Sequence, residues 1–266
     1  MRNNILLRSV LILILTCFYV FAASCCTPAQ KTTESPITTS VPGDDPVAAS
    51  RQATVDAMRA LPSGYETPIT GYDGPRLEGW FDVNQYFSVL THLSMQPGYI
   101  LDYVYHSNGS GGQPCLYANK IDDTPYSTSD ELAPIFNYLS YVRTDDTEES
   151  FFQYVTLRIM GGQFYLWWHA NYDDHTIICD RMRLEALLAG SIFDQNMPPE
   201  VQEEARRLEL APGVEINKDT VIVRVVVFTK WGGFMEETYT ITRAFPHTIE
   251  DIKTKTLVPW RINLTF

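Results

Sequence analysis

Beyond residue 23 this chain has no apolar run of the ~20 residues that a membrane-spanning helix needs. It is also short of positive charge: 20 Lys and Arg stand against 32 Asp and Glu, a formal charge of −12. A negative field repels phosphate backbones, which argues against nucleic acid as a partner. The signatures of several common chemistries are missing too. There is no glycine-rich phosphate loop, no dinucleotide fingerprint and no H-E-x-x-H zinc helix. Ser110 lies among glycines, yet Gly109-Ser110-Gly111-Gly112 lacks the G-x-S-x-G spacing of a nucleophile elbow. Acidic pairs occur at Asp122-Asp123, Asp145-Asp146 and Asp173-Asp174. Adjacent carboxylates in loops read as solvated charge, and no glycosidase pair is assigned from them. Cysteine is rare: of 5 in all, only Cys115 and Cys179 lie beyond residue 26.

What is present begins with export. Residues 1–8 carry Arg2 and Arg8 without an acid, and residues 9–23 are almost wholly apolar. A basic stretch before a short apolar one reads as a secretory signal. At its end, Ala22-Ala23-Ser24-Cys25 places small residues directly before a cysteine. This resembles the lipobox of bacterial lipoproteins, and the resemblance covers these first residues alone. It implies cleavage after residue 24, lipid on Cys25, and a mature protein anchored in the membrane of the cell envelope. The alternative is an ordinary signal peptide cut nearby, which would release a soluble secreted protein. Residues 25–45 are rich in Thr, Ser and Pro and too poor in apolar groups to pack, so they read as a disordered tether.

Residues 46–266 can bury a sizeable core and read as one domain, with no internal linker and no repeat period. Periodicity predicts helices over 46–61 and 82–95, the second capped by Asp82. A strand over 99–106 leads through a loop at 108–112 to a short strand at 115–118, and a helix interrupted by Pro134 is expected over 129–139. Further helices are expected over 180–188, capped by Asp180, and over 199–208, opening on Pro199.

Two hairpins give the strongest local signals. Residues 151–160 and 163–170 flank Gly161-Gly162, a pair suited to a two-residue turn. In that register Val155, Leu157, Ile159, Phe164, Leu166, Trp168 and Ala170 share an apolar face. Tyr154, Arg158, Tyr165, Trp167 and His169 share the other. Flat aromatics with polar edges suit a sugar, a peptide or another protein; the competing reading is a second core layer beneath a helix. Residues 220–230 and 235–243 form the second hairpin, with Gly233 at positive φ. Its register gathers Val223, Val225, Val227, Tyr239 and Ile241 on one side, and residues 258–266 are expected to close the sheet as a last strand. The expected fold is α+β: an antiparallel sheet built from hairpins, with helices packed on one face.

The dense run over 167–179 invites a zinc reading through His169, Asp173 or Asp174, His175 and Cys179. It contains no tight ligand pair of the kind structural zinc sites use, so a metal is not favoured, and His169, Asp173 and His175 stand as its nearest candidates. In an exported protein the two body cysteines most often pair, which predicts a Cys115–Cys179 disulfide; two buried thiols, or a metal-bound Cys179, are the alternatives. The sequence thus points to a binding or structural module of the cell envelope without a cofactor, in contact with the membrane through its lipid and with an envelope protein or glycan. The alternative is a metal- or carboxylate-dependent hydrolase of envelope material.

Overall fold

The computed structural model describes residues 45–108, 110–132, 137–168, 175–192 and 195–263; the expected signal, the expected lipidation site and nearly all of the expected tether lie outside them. In chain order the elements are α1 (Pro46–Ala60), β1 (Gly74–Pro75), β2 (Leu93–Met95), β3 (Tyr99–Asn108), β4 (Gly111–Lys120) and β5 (Val142–Thr144). There follow α2 (Glu148–Met160), β6 (Trp167–Trp168), β7 (Thr176–Ile177), α3 (Arg181–Ala189) and α4 (Pro199–Ala205). The chain ends on β8 (Gly213–Ile216), β9 (Thr220–Thr229), β10 (Gly233–Thr242) and β11 (Ile249–Pro259).

The strands form an α+β fold with antiparallel sheets. One sheet runs β1-β3-β4-β6, a second runs β11-β10-β9-β7 with β8 also on β9, and β2 pairs β5 separately. The β9–β10 hairpin follows its alternation: Val223 lies opposite Tyr239, Val221 opposite Ile241 and Arg224 opposite Thr238. Gly233 has φ +82° at its start, and a Cβ there would meet the backbone of Val258 and Trp260. Only glycine combines that dihedral with so close an approach. Helices cover both faces of this sheet. Val221, Val223, Val225 and Val227 join the core that contains α2, whereas Val226, Phe228, Phe234 and Val258 pack with Leu184 and Leu188 of α3 and Ala205 of α4.

The first expected hairpin is not a hairpin. Residues 148–160 are helical, and β6 pairs with Gly111 and Gly112 of β4 instead. The local signals favour a helix: Thr147 and Ser150 cap each other reciprocally, Glu148 and Glu149 occupy the first turn, and Arg158 occupies the last. The strand-like alternation has a tertiary origin. From Phe151 to Met160 every residue but Arg158 is buried, so α2 carries no polar face and its few polar letters are not spaced by solvent.

Smaller departures have similar causes. Residues 82–95 are divided: Asp82 caps a short 3-10 helix, Val83–Ser88, and the chain then extends into β2. Residues 129–139 give 3-10 turns at Ser129–Leu132 and Tyr138–Tyr141. The loop expected at 108–112 is the tip of a long hairpin, with Asn108 opposite Gly111 and Tyr99 opposite Lys120. The last strand is β11, which ends at Pro259 and so lies ahead of the one expected from residue 258.

The predicted disulfide is corrected as well, because both Cys115 and Cys179 are free. Cys115 lies on β4 beside the small cluster of Val104 and Tyr117, while Cys179 follows β7 of the other sheet and belongs to the main core. There its backbone N–H donates to Gln52 Oε1 of α1 at 2.7 Å. Burial pushes the Cys115 thiol up to about 11, so it stays protonated at neutral pH.

Candidate functional site

A cleft of about 700 Å³ opens between β4 and the start of β11, with the C-terminal half of α2 as its inner wall. Two sheet rims meet here. The outer edge of β4 is paired by β6 only at Gly111 and Gly112, so from Gln113 onward no strand covers it among the described residues. Pro114 has no N–H and is tolerated where a strand has a free edge. On the far side, β11 is bonded to β10 and presents its other edge outward.

Arg158 projects from α2 into this space. It is the single exposed position between Phe151 and Met160, and the guanidinium has no hydrogen bond or ion pair among the described residues. Its charge is felt by two phenols. Burial pushes Tyr138, whose hydroxyl donates to Leu157 O at 3.3 Å, up to about 12, with Arg158 acting in the opposite direction. Burial and the neighbouring Glu237 raise Tyr239 well above the ordinary phenol range, again against Arg158. Tyr239 donates to Glu237 Oε2 at 2.5 Å, and Glu237 Oε1 lies 3.9 Å from His175 Nε2. Both phenols are therefore neutral hydrogen-bond donors, and Arg158 is the cationic group directed at the opening.

The residues proposed as one aromatic face are dispersed. Tyr154 is fully buried, its hydroxyl 3.2 Å from Leu139 O and 3.3 Å from His247 O. Tyr154 and Arg158 both border the cleft, but as neighbours along a helix. Tyr165 and Trp167 pack against the core: the Tyr165 hydroxyl accepts the Phe81 N–H at 3.0 Å, and its carbonyl accepts the Tyr105 hydroxyl at 2.9 Å. Gly112 lies beneath Trp167 so closely that a Cβ would overlap the indole. His169 and Asp173 fall outside the described residues. Among the described residues no three metal-binding side chains come together, and His175 has Glu237 as its acidic neighbour.

Sequence reasoning missed Gln113, Tyr138 and Glu250, which border the same cleft. Pro114 inside a strand was a readable sign of the β4 edge, and the run of charges from Glu250 to Lys255 was one for β11.

A second hollow, of about 680 Å³, borders His247, Asp146, Arg243 and Phe245. His247 is only 3% exposed, with its Nδ1 3.1 Å from Thr242 O and its Nε2 3.1 Å from Thr144 Oγ1. These partners suit a neutral ring that donates from Nδ1 and accepts at Nε2. Burial lowers its pKa, opposed by the Thr242 hydrogen bond and by Asp146. The unfolded chain titrates near ~6.5, so it takes up this proton before the folded one does. The contribution of His247 to stability is thus complete above that pH and falls as pH drops below it. Urea midpoints should decline between about pH 7 and 5, and His247→Gln should flatten that decline; an unchanged slope would refute a buried neutral ring.

No protein-family model, curated protein or solved structure matches this chain.

Proposed function

We propose that this is an exported, lipid-anchored protein of the bacterial cell envelope whose folded domain works by binding, taking an extended, carboxylate-bearing segment of an envelope partner into the cleft between β4 and β11. The observation that carries this reading is Arg158, a guanidinium directed into an open cleft without an ion-pair partner among the described residues. Such a group binds a carboxylate through parallel N–H donors in a fixed fork. The surroundings favour an extended ligand. Two strand rims border the space, and a free rim recognises a peptide by main-chain hydrogen bonds. Tyr138 supplies flat apolar area, and Gln113 an amide.

Full-length protein is titrated by calorimetry with short glycine-rich peptides carrying one aspartate, and with the same peptides carrying asparagine. A charge-assisted hydrogen bond contributes about 1.5–3 kcal/mol, so the aspartate peptide should bind roughly 10- to 100-fold more tightly. Arg158→Gln should remove that difference, since it keeps a polar side chain without the charge. Equal affinity for both peptides, or a preference that survives Arg158→Gln, rules the reading out. Turnover of the peptide would replace binding with catalysis.

A further inference from the structure

The free rim of β11 has a charge order that matches itself. Every residue from Glu250 to Thr256 is exposed, and β11 is otherwise bonded only to β10 among the described strands. The exposed run reads Glu250, Asp251, Ile252, Lys253, Thr254, Lys255, Thr256: acids first, then lysines, with an isoleucine that is 42% exposed between them. Charges on an edge strand ordinarily keep other strands away. That protection works when like charges would meet, and here the order decides which charges meet.

Symmetry limits the possibilities. In antiparallel pairing, opposite residues alternate between hydrogen-bonded and non-hydrogen-bonded kinds. A two-fold axis between identical strands must therefore place some residue opposite itself. Centring it on Glu250, Asp251, Lys253 or Lys255 sets like charges face to face. Centring it on Thr254 sets Lys253 against the partner's Lys255, and centring it on Thr256 sets Lys255 against leucine and Lys253 against proline, with no opposite charges paired within β11. Centring it on Ile252 sets Asp251 against the partner's Lys253 and Lys253 against the partner's Asp251. Isoleucine then meets isoleucine, and Glu250 meets threonine.

From this we infer that β11 is an interface between two copies of this chain, which joins their sheets edge to edge about an axis at Ile252. Within one copy Asp251 and Lys253 already point to the same face, 3.8 Å apart and largely exposed, a weak contact to give up. Cross-strand pairing brings them opposite new partners and satisfies the unpaired backbone of both rims. The inference rests on β11 alone; Glu250, Asp251 and Ile252 also border the cleft beside Arg158, so a second copy on this rim leaves β4 as the rim with which the segment proposed above would pair.

The test uses the full-length, membrane-anchored chain. Opposite residues on the axis bring their Cα atoms about 5 Å apart, within disulfide reach. Ile252→Cys should cross-link to its own copy under mild oxidation, whereas Thr254→Cys, displaced from the axis, should not. Charge then supplies the specificity. Asp251→Lys alone sets lysine against lysine, and Lys253→Asp alone sets aspartate against aspartate. Each should weaken the dimer on the order of 100-fold in sedimentation of the detergent-purified chain. Two recoveries should follow: the double variant Asp251→Lys/Lys253→Asp restores dimers with itself, and the two single variants mixed together form a heterodimer. Exposed substitutions of this kind leave folding intact, and far-ultraviolet circular dichroism checks that they do. A monomeric wild-type chain would overturn the inference. So would equal cross-linking at residues 252 and 254, or single-charge variants that dimerise as tightly as wild type.

Discussion

Phe164→Ala should destabilise the domain by about 4 kcal/mol, the middle of the range for removing a buried aromatic ring. Phe164 is 4% exposed and packs edge-to-face with Phe81 at 5.3 Å, Tyr103 at 5.1 Å and Tyr165 at 5.1 Å between ring centres. Tyr86 adds a fourth ring at 6.4 Å. These rings come from distant parts of the chain, so the loss falls on the junction between β3, the 3-10 helix before β2, and the segment after α2. The lining is also poorly placed to collapse into the vacancy. Tyr86 donates to Gly161 O at 3.1 Å, Tyr105 donates to Tyr165 O at 2.9 Å, and the Tyr165 hydroxyl accepts the Phe81 N–H at 3.0 Å. A cavity whose walls are held by hydrogen bonds keeps its volume, and the cost of truncation grows with that volume. For a domain of this size the melting temperature should fall by roughly 8–16 °C. Urea unfolding at constant slope measures the free energy directly. A loss below about 1 kcal/mol would mean that the ring is not enclosed in this way. Phe164→Leu, which keeps most of the apolar volume, should lose much less.

The contrast between α2 and β9–β10 explains which parts of the fold can be read from the sequence. Over residues 220–225 of β9 and 236–242 of β10 one face is buried and the other half-exposed, so period-two alternation survives there, although both faces are covered nearer the turn, which Gly233 marks. The helices α1, α3 and α4 carry their start signals in Asp45, Asp180 and Pro199. In α2 the apolar pattern carries no information about period, because burial surrounds it; there the caps at Thr147 and Ser150 outweigh alternation. The candidate site inherits this misreading. Arg158 was singled out on a supposed strand face, and it matters instead as the one exposed residue near the end of a buried helix. Its neighbours in the cleft come from β4 and β11, more than forty residues before it and about ninety after. No local pattern joins segments so distant. Glu237 shows the same limit: its place opposite Val225 puts a carboxylate on the buried face, where Tyr239 receives it.

Arg51→Ala is the second large effect, and its origin is polar. Arg51 lies on α1 and is only 5% exposed. Its Nε donates to Glu149 Oε2 at 3.0 Å, its Nη1 donates to Pro212 O at 2.9 Å, and its guanidinium lies 5.1 Å from the centre of the Phe152 ring. One side chain thus ties α1 to the first turn of α2 and to the segment entering β8. Truncation leaves the Pro212 carbonyl without this donor and Glu149 without its cation, and it removes the stem that packs on Phe152. Breaking a buried pair from one side costs about 3–5 kcal/mol. Glu149 retains 29% side-chain accessibility and can rehydrate, which places the expected loss near about 3 kcal/mol. Arg51→Lys should recover only part of it, because an ammonium cannot hold both acceptors in the planar fork. A double-mutant cycle with Glu149→Ala separates the ion pair from the rest: the two changes should combine to less than their sum by about 1 kcal/mol or more. Strict additivity would assign the whole loss to the Pro212 hydrogen bond and the Phe152 contact, and Arg51→Met, which keeps the stem and removes both donors, would then distinguish those two.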